Sequence, residues 1–216
     1  MWVEVLLSLG CLMLFTVGQW MVLEHTAPFF QAFDAKTKHA WIGRVTATVF
    51  ETAVILFAAV NGYQTVWGAA LLIAYLIHDM GHTILYDPKL ENFVHHIISF
   101  VLTVLQKTVM SPDQAEATRR AMFTLESTGP VLHISWAMNK AGYGSHPAFK
   151  YVAGFSVVFF GIMRLLAFPW VMYTSMNTAT ASVFSPLLGL NVYWFYKLVQ
   201  LVIRVLDKNS GTDLPL

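Results

Sequence analysis

The sequence predicts an all-α membrane protein of about seven transmembrane helices, and three observations carry that prediction. Hydrophobic residues make up 56% of the 216 and charged residues 12%, against about 25% charged in an ordinary soluble domain. Seven apolar runs, most near the roughly 20 residues that cross a bilayer, are separated by short polar punctuation. That spacing leaves no stretch long enough for a separate soluble domain.

The first run, Val3 to Leu23, carries Glu4 and lacks the basic n-region of a secretory leader, so it reads as a span. The second, Val45 to Val60, stops at Asn61-Gly62, and the third, Val66 to Leu85, stops at Asp87-Pro88. Ser111-Pro112-Asp113 closes the fourth, Phe93 to Met110. The fifth, Ala121 to Met138, contains Pro130, which should kink the helix or free a carbonyl. After Gly142-Tyr143-Gly144 come the sixth, Val152 to Tyr173, and the seventh, Pro186 to Leu206. No internal repeat appears, so an inverted-repeat transporter is not indicated. The chain divides into an N-terminal helix and loop (1–40), a helical domain (41–206) and a tail (207–216).

Thirteen Lys and Arg balance twelve Asp and Glu, which gives no basic surface for nucleic acid. With seven spans, Lys36, Lys38, Arg44, Lys89, Lys140, Lys150, Lys197, Arg204 and Lys208 fall on the C-terminal side, and Lys107, Arg119 and Arg120 on the other. The positive-inside rule then places the C-terminus in the cytosol, or in the matrix of a mitochondrion. Cys11, the one cysteine, forms no internal disulfide.

Ionisable residues inside spans are the main functional signal. A charge at the centre of a lone membrane helix costs about 2.5 to 3.5 kcal/mol on the insertion scale, so Glu51, Asp79, Glu126 and Arg164 should point inward and be paired or protonated. Counting about 1.5 Å per residue from the helix ends puts Glu51, Asp79, His82, His95, His96 and His133 in one layer, about 10 Å from the C-terminal side. The same count puts Glu126 and Arg164 nearer the opposite face, where they should pair. Tyr75, Asp79, His82 and Tyr86 share one helical face with His78 at its flank. His95, Ser99, Leu102 and Gln106 share another, with His96 turned away by about 100°. Glu126, Pro130 and His133 share a third.

Three chemistries fit such a layer. A histidine near neutral pKa, oriented by Asp79, can serve as base or nucleophile in acyl transfer, and no Gly-x-Ser-x-Gly elbow competes for the role. His78 and His82, one turn apart, with His95 and His96 are the candidate ligands for a metal, although the remaining histidines His25, His39 and His146 fall in loops; the reading is of no metal site. The third possibility is no chemistry: a polar-lined cavity for a lipid head group, or a polar core that sets helix register within a larger membrane complex.

The segments AYLIHDMGHTILYD, FVHHIISFVL, MFTLESTGPVLHISWAMN and GLNVYWFYKLVQLVIRVL resemble the TLC-domain family, which includes ceramide synthases, translocon-associated membrane proteins and lipid-homeostasis proteins. The resemblance runs from Trp41 to Leu206 and rests most on the helix ending in Asp79, the His95-His96 pair, the Glu126-Ser127 region and Asn191, Trp194 and Tyr196. It implies a barrel-like ring of helices around a lipid cavity. By likeness to ceramide synthases, His95 and His96 would be catalytic and Asp79 supporting, with acyl-CoA as co-substrate and no tightly bound cofactor. His78, His82, His133, Glu51, Tyr75 and Ser99 would contact the lipid. Ceramide synthases carry a His-Asp and a second Asp downstream of the paired histidines, where this chain has Thr-Leu-Glu-Ser; it therefore looks closer to the non-synthase branch. The function expected is lipid binding in an internal cavity with a role in membrane lipid homeostasis. Two alternatives stand: a His-dependent acyltransferase acting on an amine or hydroxyl lipid, and a structural subunit of a membrane complex, such as one in the mitochondrial inner membrane. The family default for location is the endoplasmic reticulum.

Overall fold

The computed structural model describes residues 2–61, 66–86 and 90–210. The turns expected at Asn61-Gly62 and Asp87-Pro88, and residues 211–216 of the tail, lie outside the described residues. All described elements are helical: α1 (Trp2–Thr26), α2 (Pro28–Gln31), α3 (Ala35–Asn61), α4 (Val66–Tyr86), α5 (Leu90–Thr108), α6 (Pro112–Glu126), α7 (Gly129–Lys140), a 3-10 turn (Tyr143–Ser145), α8 (Pro147–Phe160), a π-helical segment (Gly161–Ala167), α9 (Phe168–Ser175) and α10 (Thr178–Ser210). Among the described residues, four stretches are long and apolar enough to cross a membrane: Trp2–Thr26, Ala69–Tyr86, Pro147–Ser175 and Thr178–Val205.

All seven apolar runs are helical, and the fifth differs from expectation. It is two helices, α6 and α7, meeting at Ser127 and Thr128. Pro130 explains the break: it has no N–H for the carbonyl four residues back, and its ring collides with that carbonyl. That residue is Glu126, the last of α6. Pro130 itself occupies the first turn of α7, where no N–H is required. Hydroxyls cover the break from within, with Thr124 donating to the Ala121 carbonyl at 2.7 Å and Thr128 to that of Leu125 at 3.2 Å.

The π segment has a related cause. Pro169, two residues past its end, lacks the N–H that would bond the Leu165 carbonyl inside it, which favours a wider turn. That turn carries Arg164 inward, where it is buried.

The helices close a ring. α3 packs on α4, α4 on α5, α5 on α10, α10 on α8, α8 on α7, and α7 back on α3. α1 lies outside it against α4 and α3, while α6 touches α3, α5 and α9. The largest apolar cluster joins these elements through Leu72, Leu76, Leu102, Leu125, Phe168 and Leu187.

At the start of α3, Asp34 accepts the Thr37 N–H at 2.6 Å and so caps the helix. That bond is the chief reason its carboxyl is held below the ordinary carboxylate range. A carboxyl with a lowered folded pKa stabilises above its unfolded pKa, and loses that effect as pH falls through the folded one. Asp34→Ala is therefore expected to lower the melting midpoint in detergent near neutral pH, with the gap from the parent closing in strong acid. A gap independent of pH would show that the carboxylate is not the cap.

Candidate functional site

The face of α4 distributes its polar residues among three neighbours. Taking Tyr75 as zero and about 100° per residue, His82 and Tyr86 lie within about 20° of it, Asp79 about 40° to one side and His78 about 60° to the other. α3 lies opposite the middle, antiparallel: Tyr75 donates to Glu51 Oε1 at 3.0 Å, the His82 ring lies against Gly43, and Tyr86 stacks on His39 with centroids 3.7 Å apart. Asp79 reaches α5, where the His96 Nε2–H donates to Oδ2 at 2.9 Å. His78 turns to α1, its Nε2 3.1 Å from Thr16 Oγ1. His82, expected in one layer with the histidine pair, and His78, expected at the flank of the α4 face, thus contact α3 and α1. Register explains His82: it meets α3 about two turns nearer the membrane face than Tyr75 does.

His95 and His96 are both buried despite the 100° between them, because carboxylates approach from two sides. His95 Nε2 lies 3.7 Å from Glu126 Oε1 of α6, an ion-pair distance longer than a hydrogen bond. The Trp194 ring of α10 meets His95 edge-on at 5.3 Å. A third imidazole–carboxylate pair joins α7 to α3, with His133 Nε2 3.5 Å from Glu51 Oε2. Arg44 Nη1 lies 3.2 Å from His133 Nδ1. Since a guanidinium only donates, His133 accepts there and turns its Nε2–H toward Glu51. Ser99 is fully buried one turn from His95. These contacts lace α3, α4, α5, α6 and α7 together at one level.

The structure corrects the depth assigned to Glu126. Its helix starts at Pro112 rather than Ala121, so nine further residues, about 13 Å, lie between it and the helix start. That carries Glu126 into the histidine layer. Its partner among the described residues is His95, not Arg164. Arg164 instead binds the break between α6 and α7 and the ring wall: Nε donates to Thr128 Oγ1 at 2.7 Å, Nη2 to the Leu125 carbonyl, and Nη1 to Asn191 Oδ1 at 3.3 Å. Its guanidinium also lies over the rings of Phe160 and Trp194, at 5.0 and 5.7 Å.

Sequence reasoning passed over two residues of the site. Arg44 was read only as a charge on one membrane face. Gly129 has no polar group to draw notice, yet the Glu51 carboxylate lies where its Cβ would be; the signal available was a glycine at a proline-marked helix start.

Chemically, the layer offers carboxylate-backed imidazoles. Among the described residues no three His, Cys, Asp or Glu side chains are grouped to hold a metal ion. The family model described as the TLC domain matches residues 5–200. No curated protein and no solved structure matches the chain.

Proposed function

We propose, since the chain belongs to the TLC-domain family, that this membrane protein holds a lipid by its head group in the layer of Glu51, Asp79, His95, His96, Glu126 and His133, and that it serves membrane lipid homeostasis. One observation carries the reading. In that layer His95 Nδ1 and His96 Nδ1 are buried without a hydrogen-bond partner, and Glu126 Oε1, Glu51 Oε2 and His133 Nε2 face only an ion-pair atom at 3.5 to 3.7 Å, beyond a good hydrogen bond. Each bare atom costs about 1 to 3 kcal/mol unless something polar meets it, which the hydrocarbon tails of lipids do not. A head group with hydroxyls or an amine meets several of them together. The excess of Lys and Arg on one side supports a cytosolic C-terminus, and family membership supports the endoplasmic reticulum.

The protein purified in mild detergent is expected to retain lipid through delipidating washes, read by mass spectrometry of solvent extracts. His95→Ala combined with His96→Ala is expected to lose most of it. Equal lipid in the folded double variant and the parent would overturn the reading.

The Asp79–His96 contact favours a second reading, acyl transfer. In neutral His96 the Nε2–H points at Asp79, which leaves the Nδ1 lone pair to take a proton from an attacking amine or hydroxyl as it adds to a thioester carbonyl. The Asp79 carboxylate steadies the imidazolium formed, and the proton then goes to the departing thiolate of coenzyme A. Product from long-chain acyl-CoA and an amine lipid, lost in His96→Ala, would support it; none in the lipid-loaded parent removes it.

A further inference from the structure

α5 carries buried polar side chains along one face for most of its length. His95, Ser99, Thr103 and Gln106 follow at i, i+4, i+8 and i+11, within about 80° of one another and over about 16 Å of axis. Their exposures are 6%, 0%, 0% and 7%. Thr103 Oγ1 donates back to the Ser99 carbonyl at 2.7 Å. Ser99 Oγ makes no such bond, although the His95 carbonyl stands four residues behind it. Ser99 Oγ, His95 Nδ1 and Gln106 Oε1 all lack hydrogen-bond partners. The neighbours of α5 are α4, α6 and α10.

Polar side chains within membrane helices ordinarily bond their own backbone or the next helix. Three bare polar atoms on one enclosed face, spaced by one to two turns, call for small polar molecules held between helices. We propose that a file of water molecules runs along this face of α5 and connects the histidine layer to the membrane face at which α5 ends. Buried waters make about three hydrogen bonds each, and the hydroxyls, amide and imidazole supply them at intervals that two or three waters span. No charged residue lies between His96 and Gln106, so the path suits neutral water; an ion would lose more hydration than these dipoles return. The layer is thereby wetted from the side opposite that of Arg44.

The test uses cysteine accessibility in proteoliposomes with the exposed native thiol removed by Cys11→Ser. Ag+ reacts with thiolate, which forms in water and not in an apolar core. Ser99→Cys and Gln106→Cys are compared with Ile73→Cys, which matches the zero exposure of Ser99 but lies in an apolar cluster packed on the opposite face of α5 through Phe100 and Val104. Thiols surviving Ag+ are counted with a maleimide after denaturation. The Ser99 and Gln106 variants are expected to react about 100-fold faster than the Ile73 variant. Folding is checked by helical circular dichroism, and Thr103→Cys carries the comparison where Ser99→Cys does not fold. Protection of the position 99 thiol equal to that at 73 in folded protein overturns the proposal. Lipid retention is not read in this assay, so its outcome is independent of the lipid-binding test.

Discussion

Arg164→Met is expected to destabilise the protein by about 3 to 5 kcal/mol, because it leaves three buried acceptors without their donor at about 1 to 3 kcal/mol each. Methionine keeps much of the volume, so the loss is polar rather than a cavity. It strips donors from the Leu125 carbonyl, Thr128 Oγ1 and Asn191 Oδ1, all on buried residues. Arg164→Lys should recover part of the loss, since an ammonium reaches one or two of three diverging acceptors and lacks the planar fork. The measurement is the thermal midpoint in one detergent for parent, Met and Lys variants, and the expected order is parent, Lys, Met. A local effect is expected as well. Arg164 touches both Trp194, which faces His95, and the carbonyl next to Glu126, so the side-chain NMR signals of His95 should shift more than those of His133. Equal midpoints in all three proteins would show that the break between α6 and α7 is held by packing alone.

The helices and the membrane class are legible in the sequence because both depend on local composition: each apolar run is helical, and the described break at Ser111-Pro112 falls where serine and proline signal it. That Tyr75 and Asp79 lie on one side of α4 is legible because helical periodicity fixes which residues share a face. What periodicity does not give is the neighbour each edge of that face meets. His78 and His82 belong to the same face of α4 as the site, and the positions of α1 and α3 decide which neighbours they meet. The depth of Glu126 depended on where its helix begins, and the polar segment Pro112 to Arg120 concealed that it continues the same helix. Arg164 was legible as a buried charge, but not its partners, because a π segment turns it in a direction that a regular helical count does not assign.

Gly129→Ala is expected to be severe for a one-carbon change, because the added methyl falls on the Glu51 carboxylate. Glu51 cannot simply yield: Tyr75 holds Oε1 and His133 faces Oε2. Either the carboxylate moves and loses a charge-assisted hydrogen bond, worth about 1.5 to 3 kcal/mol, or α7 shifts off α3 with a packing cost of about 1 to 3 kcal/mol. A double-mutant cycle separates this steric claim from the ordinary effect of alanine at a helix start. Glu51→Ala removes the obstructing group, so in that background Gly129→Ala should cost little, and the coupling should exceed the few tenths of a kcal/mol seen for independent sites. Alanine is the better helix former, by about 1 kcal/mol in a helix interior, so the second substitution could even stabilise the Glu51→Ala protein. Additive effects across the cycle would mean that Glu51 does not occupy the space above Gly129, and the link from α3 to the start of α7 would fail with it.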